Sequence, residues 1–384
     1  MNLTFRHQIS KALQTEPDNI TLFWKGRVAL YALLKAFKIK EGDEVILPAF
    51  TCVVVPNAIL YCGAVPVYVD IDPFTLNASP ESIKNAISAR TKLIIAQNTF
   101  GLSSNLSEII KLARNQSIPV IEDCTHGFGG TFNGNINGTM ADAAFFSTQW
   151  NKPFSTGIGG FAFVREGEKA QCMRELEGKA IKPSLRQALQ LEVLLHIKNM
   201  MKQPWIYWPM VKAYRWMSKN KLVIGSSQAD ELNSIKMPEL FLMRMSETQK
   251  KKGAREITKV KYFNTKRKEI ARRYYEHLKM LDIFVPWHDE HTYLKFPILV
   301  KNRALFIELA ERNNIELGDW FLSPIHPITS NFEVWKYSVG KNPIAEKIST
   351  HCVNLPTQLN VDELYLKRIL KFLTTNKKHL MSFE

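Results

Sequence analysis

The chain lacks the features that would staple it, bind it to a metal or carry it through a membrane. Its five cysteines, at 52, 62, 124, 172 and 352, form no CxxC pair and no Cys/His metal spacing, and an odd count argues against a disulfide framework. No metal is expected, and a reducing cytoplasm is the expected location. No uncharged run approaches the ~20 residues needed to cross a bilayer, and Met1-Asn2-Leu3-Thr4-Phe5-Arg6-His7-Gln8 lacks the apolar run of a signal peptide. Internal repeats, low-complexity tracts and segments too polar to fold are also missing. Acidic residues are the scarcer charge, 36 against 51 basic, which leaves +15 and a pI near 9.5. That balance admits nucleic acid, anionic membrane or phosphorylated small molecules as partners. The basic residues are not gathered into a recognition helix and nothing resembles a nucleic-acid-binding module, so nucleic acid is set aside.

What is present is core. With 384 residues and 45% hydrophobic content, the chain can bury a large interior and divides into a large domain, 1–250, and a smaller α+β domain, 251–384. Between 20 and 165 helix and strand signals alternate. Helices are expected over Val28–Phe37, Val53–Tyr61, Pro80–Ala89 and Leu106–Asn115, and strands over Glu44–Leu47, Pro66–Val69, Leu93–Ala96, Pro119–Glu122 and Ala143–Ser147. Repeated βα units imply an α/β fold, a mostly parallel sheet flanked by helices, with ligands bound beyond the carboxyl ends of the strands. Further on, a long charged helix over Glu256–Leu281, a strand over His291–Ile298, a helix over Arg303–Asn313, and a closing strand and helix over Val353–Pro356 and Val361–Thr374 are expected.

Two islands carry chemistry. Phe145-Phe146-Ser147-Thr148-Gln149-Trp150-Asn151-Lys152 precedes the glycine-rich Gly157-Ile158-Gly159-Gly160, and Ile121-Glu122-Asp123-Cys124-Thr125-His126 lies upstream. A Schiff base with an aldehyde cofactor needs a confined lysine, and a carboxylate must keep the cofactor's pyridine nitrogen protonated. Lys152 and Asp123 are the candidates, and the islands together read as a site for pyridoxal 5'-phosphate (PLP). Either residue alone would more often be a surface charge or a turn cap. Gly26-Arg27 opens the Val28–Phe37 helix and presents backbone N–H groups suited to an anion, although a lone Gly-Arg turn is usually an ordinary helix start.

These motifs resemble the DegT/DnrJ/EryC1/StrS aminotransferases, PLP-dependent enzymes that usually aminate keto-sugars attached to nucleotides. The resemblance also rests on Gly42-Asp43-Glu44-Val45-Ile46-Leu47-Pro48 through Thr51, on Asn57-Ala58-Ile59, on Gly63 to Asp70, on Thr91 to Ile95 and on Phe100-Gly101. It is strong over 24–165, weaker over 237–384 and absent over about 166–236. It implies a fold-type-I transferase acting as a homodimer, with an amino donor such as glutamate and a nucleotide- or lipid-linked keto-sugar of surface-polysaccharide or glycoconjugate biosynthesis. It implies Ser147 as a phosphate-binding serine and His126 in the place of a glutamine facing the cofactor's phenolic oxygen. The family's Ser-Gly-Thr phosphate turn is here Lys25-Gly26-Arg27, and its ring-stacking aromatic is here Cys52, with Phe50 or Phe100 as alternative stacking surfaces. The family's Asn-Tyr-Arg motif is not visible before Pro238-Glu239-Leu240.

The stretch 166–236 is where the chain departs. Pro183-Ser184-Leu185-Arg186-Gln187 has a capping-box-like start, and an apolar-rich helix through Leu189, Val193, Leu194, Ile197 and Met201 runs to Pro204. Trp205, Trp208 and Trp216 then stand among six lysines and arginines. Such a stretch, 183–221, has the composition of an element lying in a membrane interface. It equally suits a cover over the active site or an enlarged dimer interface, and that reading is weighed first. Two rival functions remain: another PLP-dependent sugar reaction, against which Lys152 argues because the family's dehydratase branch has histidine there, and a non-catalytic binding or regulatory protein of the same fold. A bound cofactor absorbs visible light, which separates the last from an enzyme.

Overall fold

The computed structural model describes residues 3–165, 167–200 and 229–384. A seven-stranded sheet forms the centre. Its strands are β1 (Ile20–Phe23), β2 (Glu44–Pro48), β4 (Val65–Val69), β5 (Thr91–Gln97), β6 (Val120–Asp123), β9 (Ala143–Ser147) and β10 (Gly160–Val164), in the spatial order β1-β10-β9-β6-β5-β2-β4. Only β10 runs against the rest. Minor strands β3 (Thr51–Cys52), β7 (Thr131–Phe132) and β8 (Asn135–Ile136) lie in the loops. Every residue of β1, β2, β6, β9 and β10 is buried, as a sheet covered on both faces requires.

Helices α1 (Phe5–Leu13), α2 (Gly26–Ala36), α3 (Val54–Leu60), α4 (Pro80–Ala86), α5 (Leu106–Arg114) and α6 (Glu168–Lys179) accompany this sheet. Their starts follow from local chemistry. Ser79 precedes Pro80 and accepts from the Ser82 N–H, and Asn105 accepts from the Glu108 N–H. Leu30, Leu33 and Leu34 of α2 pack with Val45 and Leu47 of β2 on one side of the sheet, while Ile46, Ile94 and Val120 face Leu106 and Ile109 on the other.

The expected capping box at the start of α7 (Leu185–Met200) is formed: the Gln187 N–H donates to Ser184 Oγ at 3.2 Å and the Ser184 N–H donates to Gln187 Oε1 at 2.9 Å. Leu191 and Leu195 of α7 are buried against Trp24, Ile158 and Met243. Trp205, Trp208 and Trp216, on which the membrane reading leans, lie outside the described residues.

The chain continues through α8 (Ala229–Asn233), α9 (Glu247–Glu256) and α10 (Val260–Met280). The single helix expected over 256–281 begins instead at Val260, because Ile257–Lys259 form a tight turn that joins it to α9. A second sheet follows, β11 (Phe296–Val300) between β13 (Cys352–Leu355) and β14 (Leu380–Met381), with α11 (Arg303–Arg312), α12 (Pro343–His351) and α13 (Glu363–Thr375) around it. The strand expected over His291–Ile298 begins five residues later, because Tyr293, at φ 50°, breaks the extended run. Phe296, Phe306, Phe372 and Tyr274 fill this second core, which also takes in Phe50 and Phe100 from loops of the first sheet. A two-residue parallel pairing joins the halves: β12 (Ile325–His326) lies beside β3, with Cys52 opposite His326.

Candidate active site

The carboxyl edge of the large sheet gathers the residues that the sequence singled out. Lys25 follows β1, Cys52 follows β2, Phe100 follows β5, Asp123 ends β6 and Ser147 ends β9, while Gly160 opens the reversed β10 at the same edge. The Thr51 hydroxyl donates to Gln97 Oε1 at 2.7 Å and Gln97 Nε2 donates to the Phe50 carbonyl at 2.9 Å, which ties the loop after β2 to the end of β5.

Lys152 stands on a loop closed back on β9 and β10. The Thr148 N–H donates to the Gly159 carbonyl and the Thr156 N–H to the Thr148 carbonyl, both at 2.9 Å, and the two threonine hydroxyls meet at 2.7 Å. Arg267, buried on α10, donates to the Pro153 carbonyl at 3.0 Å. Gly157 has φ +88° and touches Leu191 and Leu195 of α7, so a side chain there would be both strained and blocked. The amine itself is buried. Desolvation pulls its pKa down to about 8, against the opposing pull of Asp123 and Cys52, and Lys295 and Arg27 push the same way as burial.

Asp123 is fully enclosed and accepts from the Thr125 N–H at 2.9 Å. Burial raises its pKa, while the Thr125 hydrogen bonds and the Lys152 charge work to lower it. His126 is buried, and burial followed by the charges of Lys152 and Lys295 holds it neutral. Its Nδ1 accepts from the Phe100 N–H at 3.2 Å, so the neutral ring carries its proton on Nε2, and Nε2 is buried with no hydrogen-bond partner among the described residues. A buried N–H left unpaired is costly unless something bound accepts from it. Phe100 stacks on His126, with centroids 6.1 Å apart and planes 13° apart.

The start of α2 sits directly on β9 and β10. A Cβ at Gly26 would lie 3.0 Å from Ser147 Cβ, and one at Gly160 would fall 2.3 Å from Gly26 backbone atoms. No side chain caps this helix start. Arg27 is buried and pairs with Glu231 of α8 at 2.5 Å. All seven residues expected at the site therefore converge.

No local pattern marks the residues of the opposite wall. Trp320 places its ring centroid 4.6 Å from Lys152 Nζ and 5.3 Å from the His126 ring. His326 lies 5.4 Å from Trp320, and burial pushes its pKa down to about 4, with Arg303 and Lys152 adding to the effect against Asp319. These residues reach the site only because β12 pairs with β3.

Comparison with known proteins agrees with this geometry. The model of the DegT/DnrJ/EryC1/StrS aminotransferase family matches residues 19–201 and 225–374, so the likeness extends well into the stretch 166–236 where none was expected and spares only its middle. GDP-perosamine synthase of Escherichia coli O157:H7 is 29% identical over 349 residues, 90% of this chain and 82% of that protein. GDP-perosamine synthase of Caulobacter vibrioides is 37% identical over 161 residues, which covers 42% of this chain and 43% of the relative's length. In fold, NtdA from Bacillus subtilis, solved with bound cofactor PMP, superposes with a TM-score of 0.74 at 24% identity, over 98% of this chain and 76% of that one. A family model that spans most of the chain, over a sheet edge that collects a buried lysine and a buried aspartate, places the chain in the DegT/DnrJ/EryC1/StrS aminotransferase family.

Proposed function

We propose that this chain is a PLP-dependent aminotransferase that moves an amino group from a donor such as glutamate to a nucleotide- or lipid-linked keto-sugar for surface-polysaccharide or glycoconjugate biosynthesis, and that it works as a homodimer. The observation that carries the reading is a buried Lys152 amine with its pKa pulled down to about 8, set against the buried Asp123 carboxyl. The residues present fit the cofactor. The partnerless Nε2–H of His126 meets the need for a donor to the phenolic oxygen, and Ser147 with the start of α2 meets the need for phosphate donors.

Bound PLP supplies an aldehyde and an electron-accepting ring through which an amino group passes between substrates. Lys152 fixes that aldehyde, for which its amine must be neutral, and a pKa near 8 leaves about a tenth of it neutral at pH 7. With the cofactor bound, Lys152 Nζ would also be the buried amine placed to hold and move a proton. The buried Asp123 carboxyl would hold the cofactor's ring nitrogen protonated. The Trp320 ring, at 4.6 Å, helps exclude water from the amine. A membrane role for 183–221 draws support from α7, where Leu185, Leu189, Val193 and Ile197 form an exposed stripe opposite its buried face.

The test is reduction with borohydride in the presence of PLP, followed by peptide mapping. Wild type should retain the cofactor on Lys152 and aminate members of a keto-sugar panel, whereas Lys152→Ala should do neither. An adduct on another lysine would overturn the assignment.

A further inference from the structure

Two cations flank the start of α2, and the structure treats them differently. Arg27 is committed: its Nη1 lies 2.5 Å from Glu231 Oε2, and the two side chains are only 5% and 2% exposed. Glu231 is itself fastened, because Asn57 Nδ2 donates to its carbonyl at 2.8 Å and Trp335 Nε1 donates to Asn57 Oδ1 at 2.7 Å. That pair is close to neutral and locks α8 against α2 and α3.

Lys25 is the N-cap of α2 and is nine-tenths buried. Among the described residues no hydrogen bond or ion pair is formed by its ammonium. Burial, with the Arg27 charge behind it, lowers its pKa to about 8 against the pull of Glu231. Among the described residues, Lys25, Arg27 and the Glu231 carboxylate together carry one excess positive charge beside a helix start whose N-cap makes no side-chain cap hydrogen bond. Gly26, between them, packs on Ser147, where a Cβ at Gly26 would lie 3.0 Å from Ser147 Cβ. A buried, uncompensated ammonium is costly and calls for an anion.

We propose that Lys25, rather than Arg27, is the cation that binds the cofactor's phosphate, while Arg27 and Glu231 form a positioning pair that holds α8 over the start of α2. This rests on the cofactor reading above and assigns the charge contact within it. The arrangement replaces a hydroxyl at the N-cap with an ammonium. It also makes phosphate binding dependent on pH: an anion beside Lys25 raises its pKa, so binding takes up a proton above pH 8 and weakens as pH rises further.

The test uses pyridoxamine phosphate and pyridoxamine, which differ by the phosphate and lack the aldehyde, so Lys152 forms no bond to either. Their affinities are measured by calorimetry for wild type, Lys25→Met, Lys25→Arg and Glu231→Gln. Lys25→Met should weaken pyridoxamine phosphate about tenfold or more, leave pyridoxamine within about twofold and flatten the fall in affinity between pH 8 and 9.5. Lys25→Arg should keep most of the preference. Glu231→Gln should lower the unfolding temperature yet retain a clear preference for the phosphorylated ligand. Unchanged affinity of Lys25→Met for pyridoxamine phosphate would overturn the assignment to Lys25 and leave the cofactor reading standing. A wild type that binds the two ligands equally would overturn both.

Discussion

The indole of Trp320 lies over the ammonium of Lys152, centroid to Nζ 4.6 Å, and thereby joins the C-terminal part of the chain to the chemistry of the large sheet. An aromatic face favours the charged amine by about 0.5–2 kcal/mol. Burial acts in the opposite sense and wins, since the net displacement of the Lys152 pKa is downward, to about 8. The indole thus matters more as a shield against water than as a partner for charge.

That balance sets the pH dependence of cofactor capture. Only the neutral amine attacks an aldehyde, so the rate at which apoprotein takes up PLP should rise about tenfold from pH 6 to 7 and level off above about 9, with an inflection near 8. Stopped-flow absorbance across this range measures it. A rate still climbing tenfold per unit at pH 9 would mean that the lysine keeps an ordinary pKa and is open to water.

Asp123→Asn should retain the fold, because the amide oxygen can still accept from the Thr125 N–H, while turnover falls by about 10²–10³-fold. The neutral side chain no longer stabilises a protonated ring nitrogen. It also removes the charge that raises the Lys152 pKa, so the inflection for cofactor capture should move below 8. Near-normal turnover would take Asp123 out of the mechanism.

The sheet edge was legible in the sequence because each strand there is a short apolar run broken by a residue that would be expensive inside it. Ser147 after Ala143-Ala144-Phe145-Phe146 announces itself in that way, and Asp123 closes β6 after Val120-Ile121 and a Glu122 that is buried as well. β10 was missed because its five residues emerge straight from a glycine-rich stretch, and β1 because four residues carry no period. Trp320 and His326 had no local signal at all. They reach Lys152 through a two-residue pairing of β12 with β3, a contact between distant parts of the chain that leaves no pattern in either. Glu231 belongs with them: nothing in its neighbours marks it as the partner of Arg27.

Gly160→Ala should be far more damaging than a methyl group suggests. The added Cβ would fall 2.3 Å from the N and Cα of Gly26, backbone that cannot rotate away, so α2 must shift off β10. Such overpacking costs about 1–3 kcal/mol or more. Because the same shift separates Gly26 from Ser147, phosphate binding should weaken together with stability. Denaturant unfolding and pyridoxamine phosphate titration of one variant check both. A loss of stability with full affinity would show that the start of α2 does not bind the phosphate.

Helix α7 presents apolar residues on two opposite sides. Leu191 and Leu195 are buried against the lysine loop, whereas Leu185, Leu189, Val193 and Ile197 recur every fourth residue with exposures of 90, 63, 50 and 38%. The exposed Lys182 and Arg186 stand at the start of this stripe, with Glu192 the acidic residue along it. Each basic residue near an anionic surface contributes about 1 kcal/mol, and the apolar stripe adds a part that salt does not screen. The protein should therefore co-sediment with vesicles containing phosphatidylserine, less at high salt but not to zero. Changing Leu185, Leu189 and Val193 to serine should abolish the salt-resistant part without loosening the lysine loop, since none of the three faces it. A parallel variant with Trp205, Trp208 and Trp216 changed to serine separates the contribution of the tryptophans. If wild type stays in the supernatant, or both variants partition as it does, the stripe belongs to a contact between protein surfaces instead.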